Sequence, residues 1–313
     1  MEAELRERVV PVIVPSGHEG LSRHVFQRFR SLVVNQVIDI ISPTDLDGWL
    51  RNFETPQAQY LAAQLLSAAV IRTPKMITSS YRHIAEVILP DLMRSSSLWD
   101  FACIEDFATA LGNRSPCISL RIMPVDGIKI DRRPGNSAET VVRNFSIAAK
   151  VGDGYLWRAD DPNAWQNFPG LLILIDDLLG TGRQFSRFAE KYDLKSLPPE
   201  TRCVYIPLLA TAKGLAAVRE AYPTVELRPV ETLHENAGFF TGMADGSGIW
   251  VRDQVNTVAD MRALYQNIMR AKQVPRESAY SLDLTVLLPG RTPNNSLRAY
   301  WNSTGQWRPL MPR

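Results

Sequence analysis

A short apolar run that leads into two adjacent aspartates constrains this chain more than any other stretch. Residues 171–175 are all leucine or isoleucine, and Pro169-Gly170 comes directly before them. A continuous apolar run of this length, bounded by turn residues, is typical of a strand buried on both faces of a parallel sheet. Asp176 and Asp177 follow without a break. The run therefore predicts a strand that ends in two carboxylates.

A loop and then a helix are predicted directly after the two acids. Residues 180–184 read Gly-Thr-Gly-Arg-Gln, and apolar or aromatic side chains then recur with helical spacing at 185, 188, 189 and 192. Ligands of open α/β sheets bind where parallel strands end, and the N-terminus of a helix favours anions. This order predicts a phosphate or nucleotide site, although the residues alone leave a metal site or a structural turn open.

The pattern along the chain predicts an α/β fold with a parallel, doubly wound sheet and a helical N-terminal subdomain. Helical patterns dominate from Trp49 to Gly112, and short apolar runs then alternate with helical patterns, as in strand–helix–strand units. Pro207 in one of these runs predicts an edge or irregular position, because proline cannot donate to the ladder. The predicted regions are a mainly helical subdomain over 1–115, an α/β core over 116–235, and a C-terminal helix, strand and tryptophan-containing tail over 236–313 packed on the core.

A second candidate site is the polar segment 132–137, which reads Arg-Arg-Pro-Gly-Asn-Ser and precedes a helical pattern. Two guanidinium groups next to a helix start suit a ligand with several phosphate oxygens. The alternative is a basic turn that only faces solvent.

Charge and composition narrow the class of partner. The formal net charge is +2, which gives no electrostatic case for nucleic acid. Three cysteines lack the spacing of a metal site or a disulfide framework, which suits a reducing cytosol. The apolar run at 9–14 is too short for a membrane span and contains Pro11. We therefore expect a cytoplasmic protein that binds a small molecule, with neither a membrane nor nucleic acid as partner.

Residues 171–185 resemble the signature with which type I phosphoribosyltransferases bind phosphoribosyl pyrophosphate (PRPP). The family signature has four apolar residues, two acids, two apolar residues and a Thr/Gly loop, and here it reads Leu-Ile-Leu-Ile-Asp-Asp-Leu-Leu-Gly-Thr-Gly. The resemblance implies that Asp176 and Asp177 act on the ribose, hold its 2′- and 3′-hydroxyls, and contact Mg²⁺ indirectly through it. The loop that would hold the 5′-phosphate consists of Gly180, Thr181, Gly182, Arg183 and Gln184.

The same resemblance places a pyrophosphate loop before the preceding helix. The residues that would form it are Arg132, Arg133, Gly135, Asn136 and Ser137.

Two positions depart from the family pattern. Gly180 stands where the purine-salvage branch has an acid that acts as general base, and Gln184 stands where the loop often ends in threonine. Binding of a phosphorylated ribose is therefore better supported than its transfer to a base.

Residues 45–313 are similar to one branch of this superfamily, the PRTase-CE group of bacterial conflict and phage-defence gene clusters, including retron-linked ones. The similarity lies in the helical region near Trp49 and Phe53, the signature, and a tail with Thr292-Pro-Asn-Asn-Ser296 and Trp307-Arg-Pro-Leu310. It implies a magnesium-dependent phosphoribosyl- or ribosyl-transfer effector, with another protein of a defence operon as partner. The other hypothesis is a non-catalytic sensor of PRPP or a nucleotide, or a partner-binding module.

Overall fold

The computed structural model describes residues 12–16, 19–125, 137–157, 168–241 and 248–312. A π-helical turn over Ile84–Ile88 joins two of the helices. The elements in chain order are α1 Glu19–Val34, α2 Pro43–Leu50, α3 Pro56–Ala68, β1 Val70–Ile71, α4 Pro74–His83, α5 Leu89–Ser95, α6 Ile104–Gly112, β2 Leu120–Pro124, α7 Ser137–Ala149, β3 Gly170–Leu179, α8 Arg183–Lys191, β4 Thr201–Thr211, α9 Ala212–Ala221, β5 Glu226–Leu227, β6 Glu231–Leu233, α10 Val258–Ala271, β7 Val286–Leu287 and α11 Arg298–Trp301.

The chain divides into two compact units, and both ends of the chain belong to the same unit. The terminal unit contains Met1–Pro74 and Asn236–Arg313, and the sheet unit contains Lys75–Glu235. Each unit has its own apolar core, because the buried clusters do not mix residues of the two.

This division differs from the three regions predicted from the sequence. The helices expected in one subdomain over 1–115 are shared between the units, since α4, α5 and α6 bury side chains such as Leu92 and Phe107 in a cluster with the sheet. The region over 236–313 groups with the N-terminal helices. Helical periodicity shows which face of a helix is apolar, but it does not show which core that face joins.

The sheet unit contains a five-stranded parallel sheet. The strand order is β2-β3-β4-β5, and β6 also pairs with β4. Helices α4 to α7 contribute to the core on one face, and α8 and α9 to the core on the other. The predicted α/β class with a parallel, doubly wound sheet is therefore confirmed. Because the strands are parallel, β2, β3 and β4 end at one edge, which we call the carboxyl edge.

Pro207 lies in an interior strand, so the predicted edge position is wrong, but the ladder does change partner there. β5 pairs with Val204 and Tyr205, and β6 begins its pairing only at Leu209. Between them, Val230 N donates to Pro207 O at 3.0 Å. Pro207 has no N–H to donate to the ladder, and it lies where the pairing of β4 changes from β5 to β6.

The terminal unit joins helices from both ends of the chain around one apolar core. The indole N–H groups of Trp49 and Trp307 both donate to Ala299 O, at 2.7 Å and 2.9 Å. β1 and β7 form a parallel ladder in which Val70 lies opposite Val286. The tryptophan-containing tail is therefore part of this core.

Within the described ranges, no helix has the length and apolar character that a membrane crossing requires.

Candidate functional site

The two aspartates lie near the end of β3 rather than after it. β3 runs as far as Leu179, and its register with β4 extends from Gly170 opposite Thr201 to Leu179 opposite Ala210. The strand is longer than its apolar run predicts because β4 supplies partners over the same length. Both acids therefore belong to the sheet, close to its carboxyl edge.

Asp176 is buried, with 1% of its surface exposed, and its oxygens accept three hydrogen bonds. Oδ1 accepts from Asp177 N at 2.9 Å. Oδ2 accepts from the Tyr205 hydroxyl at 3.1 Å and from Gln184 Nε2 at 3.3 Å. The Tyr205 ring in turn stacks on Phe185 of α8, with ring centroids 4.5 Å apart. The carboxyl group is buried without leaving either oxygen unsatisfied.

Asp177 is half-buried and belongs to the other face of the sheet. Neighbouring residues of a strand point to opposite faces, and Asp176 contacts residues of the α8 face. Burial, together with the nearby charge of Asp177, raises the pKa of Tyr81 on α4, which packs on the opposite face. The Oδ1 atom of Asp177 accepts from Leu178 N at 2.8 Å. Asp177 is therefore the more accessible of the two acids.

The electrostatics of the site follow from this burial. Loss of solvent, and then the negative charge of Asp177, raise the pKa of Asp176 well above its usual value. Burial likewise raises the pKa of Tyr205 well above its usual value, and the adjacent Asp176 adds to the rise. Both shifts favour the neutral forms of the groups.

The predicted 5′-phosphate loop is a three-residue turn followed by the first turn of a helix. Residues 180–182 form the turn, and Arg183 and Gln184 begin α8. The first hydrogen bond of the helix joins Ser186 N to Gly182 O at 2.8 Å. The N–H groups of the first helical turn lie outside the helix's own ladder, which is the arrangement that suits an anion.

Close packing of α9 fixes the shape of this turn. Gly182 has a φ of 81°, and a Cβ there would meet the Ala217 Cβ at 3.2 Å. Thr211 Oγ1 donates to Gly180 O at 2.6 Å and accepts from Gly214 N at 3.0 Å. A Cβ on Gly214 would meet Gly180 O at 2.5 Å. The turn therefore has a defined backbone held by the start of α9.

Gln184 connects this turn to the neighbouring strand. Its Nε2 atom donates to Val125 O at 3.1 Å as well as to Asp176. Val125 directly follows β2 and precedes the segment of the predicted pyrophosphate loop. Gln184, which stands where the family loop often has threonine, thus links the ends of β2 and β3 to the start of α8.

Most of the predicted pyrophosphate loop lies outside the described residues. Arg132, Arg133, Gly135 and Asn136 fall there, and of Ser137 only its place at the start of α7 is described. Their contacts with pyrophosphate stay a prediction.

The residues present fit a magnesium ion only as part of a complex with phosphate. In the described part of the chain, no group of three or more His, Cys, Asp or Glu side chains could hold a metal ion. Mg²⁺ usually takes one or two protein carboxylates and completes its shell with water and substrate phosphates. The half-buried Asp177 suits that role.

Three residues of the site were not predicted from the sequence: Tyr81, Tyr205 and Thr211. Tyr205 had a usable signal, because a tyrosine inside an apolar strand brings a hydroxyl that needs a buried partner. Thr211 also had one, since a threonine between a strand and a helical pattern is a typical N-cap. Tyr81 on α4 gave no comparable signal.

Comparisons with known proteins add one informative match. A family model described as PRTase-CE matches residues 46–313. Among solved structures, the AQ2163 protein from Aquifex aeolicus matches with 10% sequence identity and a TM-score of 0.31, covering 55% of this chain and 83% of that chain. Similarity at that level carries no argument here. No curated protein matches the chain at a significant level.

Proposed function

The chain belongs to the PRTase-CE family, and from this premise we propose that it binds PRPP, or a related ribose 5-phosphate compound, together with Mg²⁺ at the carboxyl edge. The observation that carries the proposal is the closely packed turn at 180–182, which leads into the first turn of α8 next to the two acids of β3. A single ligand could place its 5′-phosphate at the start of α8 and its ribose at the two acids.

The chain's own groups would act mainly by binding and orientation. Backbone N–H groups at the start of α8 would hold the 5′-phosphate, and the Asp176–Asp177 pair would hold the ribose hydroxyls. Arg132 and Arg133 would neutralise the pyrophosphate. When bound, Mg²⁺ supplies positive charge to the pyrophosphate oxygens, and Asp177 is the described carboxylate best placed to face it.

In a transfer reaction, a nucleophilic acceptor would attack C1′ of the ribose while the bond from C1′ to the pyrophosphate oxygen breaks. Pyrophosphate would leave with that electron pair, and the acceptor would lose its proton to solvent. Charge at C1′ builds up in the transition state, so preorganised charge near the ring would supply most of the acceleration. An acceptor that is already nucleophilic needs no base at position 180. In this form the protein would be the transfer effector of a bacterial defence system, acting with another protein of that system.

A second candidate function is a sensor that binds the same ligand without transfer. Two observations favour it. Gly180 stands where the purine-salvage branch has the loop acid, and the Asp176 carboxyl group already accepts three hydrogen bonds from within the protein.

Calorimetry with PRPP and Mg²⁺, combined with a pyrophosphate assay on the same samples, tests the proposal. We expect the wild type to bind and the Asp176→Asn/Asp177→Asn double variant to lose binding. Pyrophosphate release on addition of nucleobases or a cell extract would establish transfer, and binding without release would establish the sensor. A wild type that does not bind PRPP would contradict both, and NAD and nucleoside phosphates would be the next ligands to titrate.

A further inference from the structure

The two adjacent acids of the signature differ in what surrounds them. The proposed function assigns the ribose hydroxyls to the pair of acids, and the contacts narrow this assignment. We propose that Asp176 is a positioning residue, held by Tyr205 and Gln184, and that Asp177 alone presents its carboxylate to the ligand. The identity of the ligand rests on the proposed function, whereas the role of Asp176 can be tested without any ligand.

The contacts of Asp176 are the first support. Its side chain is buried, and donors from the backbone of β3, from β4 and from α8 already occupy it. To reach a ribose hydroxyl, Asp176 would have to leave its buried position and the buried Tyr205 hydroxyl that donates to it. Unpaired buried donors are costly, so a ligand contact by Asp176 would work against the packing.

The second support is what these contacts connect. Tyr205 lies on β4 and stacks on Phe185 of α8, and Gln184 also donates to Val125 O after β2. One carboxyl group thus links three strands at the carboxyl edge to the helix that receives the phosphate. Its role would be to set the distance between the turn at 180–182 and the ends of β2 and β3.

The third support is the exposure of Asp177. It is half-buried, where Asp176 is fully buried. Its Oδ1 atom accepts a hydrogen bond from Leu178 N at 2.8 Å. A partly exposed carboxylate near the carboxyl edge can accept from a ribose hydroxyl without leaving a buried donor unpaired.

Single substitutions in the full chain separate the two roles. The variants are Asp176→Asn, Asp177→Asn and Gln184→Met, which removes the amide but keeps the length of the side chain. Two quantities are measured for each: amide hydrogen exchange of a peptide covering 179–186 without ligand, and the Kd for PRPP with Mg²⁺. Glu190→Gln, the same acid-to-amide change at an exposed position of α8, is the matched control and should change neither.

We expect Asp176→Asn and Gln184→Met to speed exchange of the 179–186 peptide by about tenfold or more, since each removes a hydrogen bond that holds the turn. Both should weaken PRPP by less than about fivefold. Asp177→Asn should leave exchange unchanged and weaken PRPP by about tenfold or more, as expected for a lost charged contact.

The proposal is overturned if Asp176→Asn leaves exchange of the 179–186 peptide unchanged, or if it weakens PRPP as strongly as Asp177→Asn does. Should the wild type fail to bind PRPP, the proposed function fails by itself. The positioning role of Asp176 is then decided by hydrogen exchange in the unliganded variants. Faster exchange in Asp176→Asn and Gln184→Met would support it, and unchanged exchange would overturn it.

Discussion

At the scale of single residues, the buried acid of the site makes stability depend on pH. The folded chain raises the pKa of Asp176, so the native state keeps a proton that the unfolded chain loses above about pH 3.9. The contribution of this group to stability is therefore greatest below that pH, and it falls as the pH rises toward the folded-state pKa.

Asp176→Asn should remove this dependence. The quantity to compare is the free energy of unfolding of the variant minus that of the wild type. We expect this difference to increase between about pH 5 and about pH 8, by at most about 1.4 kcal/mol per pH unit. Urea unfolding at several pH values measures it. A difference that stays constant over this range would show that Asp176 ionises as readily in the folded chain as in the unfolded one.

Gly182 is a second residue whose identity is fixed by its conformation. Gly182→Ala should lower the free energy of unfolding by about 1–2 kcal/mol, because a Cβ in the left-handed region is strained and this one would also press on Ala217. Gly20→Ala is the matched control: it lies in α1 with open space around it and should stabilise by up to about 1 kcal/mol. Equal effects of the two alanines in urea unfolding would contradict the requirement for glycine at 182.

The sequence predicted which residues surround the turn, but it could not predict how the two acids differ. The order of acids, glycines and helix start at 176–184 is local, and periodicity reveals it. Tyr205, whose hydroxyl donates to Asp176, lies 29 residues away on another strand. Only the register of β3 against β4 brings the Tyr205 hydroxyl to that carboxylate.

At the scale of elements, the start of α9 both caps a helix and holds the turn at 180–182. Thr211→Ala removes the N-cap and the bond to Gly180 O, and should cost about 1–2 kcal/mol of stability. Thr257→Ala is the control, since it removes the cap of α10 in the terminal unit at a similar cost. Hydrogen exchange should show faster opening of residues 179–186 in Thr211→Ala only. The same acceleration in Thr257→Ala would contradict a local role for Thr211.

Several elements follow their sequence patterns, and the exceptions have physical causes. The helical pattern after β4 forms α9, with Thr211 as its N-cap. The apolar run at 225–230 contains only the two-residue strand β5, and β6 begins after a break at Glu231. The break coincides with Pro207 on the neighbouring strand, and pairing across strands cannot be read from one segment alone.

At the scale of the whole molecule, the family membership and the parallel α/β class are confirmed by the match over residues 46–313 and by the sheet. The division into units was not predicted, because it depends on contacts between the two ends of the chain. The sequence predicted a tail packed on the α/β core. In the terminal unit, the Trp307 indole donates to Ala299 O, the carbonyl oxygen that also accepts from Trp49.

Trp307→Ala should therefore destabilise the terminal unit, by about 3–5 kcal/mol for the lost aromatic volume. Trp307→Phe keeps most of the ring and should cost less, about 1 kcal/mol for the hydrogen bond plus the smaller volume. Segment-resolved hydrogen exchange is the measurement, with α3 expected to lose protection and β3 to keep it. Equal loss of protection in both elements would mean that the units unfold together.

The discontinuous terminal unit also imposes an order on synthesis. The helices before residue 75 emerge from the ribosome long before their core partners beyond residue 235, a delay of about 8–30 s at usual elongation rates. By the end of this interval the sheet unit, whose residues are contiguous, has its whole sequence available. Trp49, Leu61 and Leu65 still lack the core partners beyond residue 235. The nascent chain thus carries an unfinished half-core while about half of its length is translated.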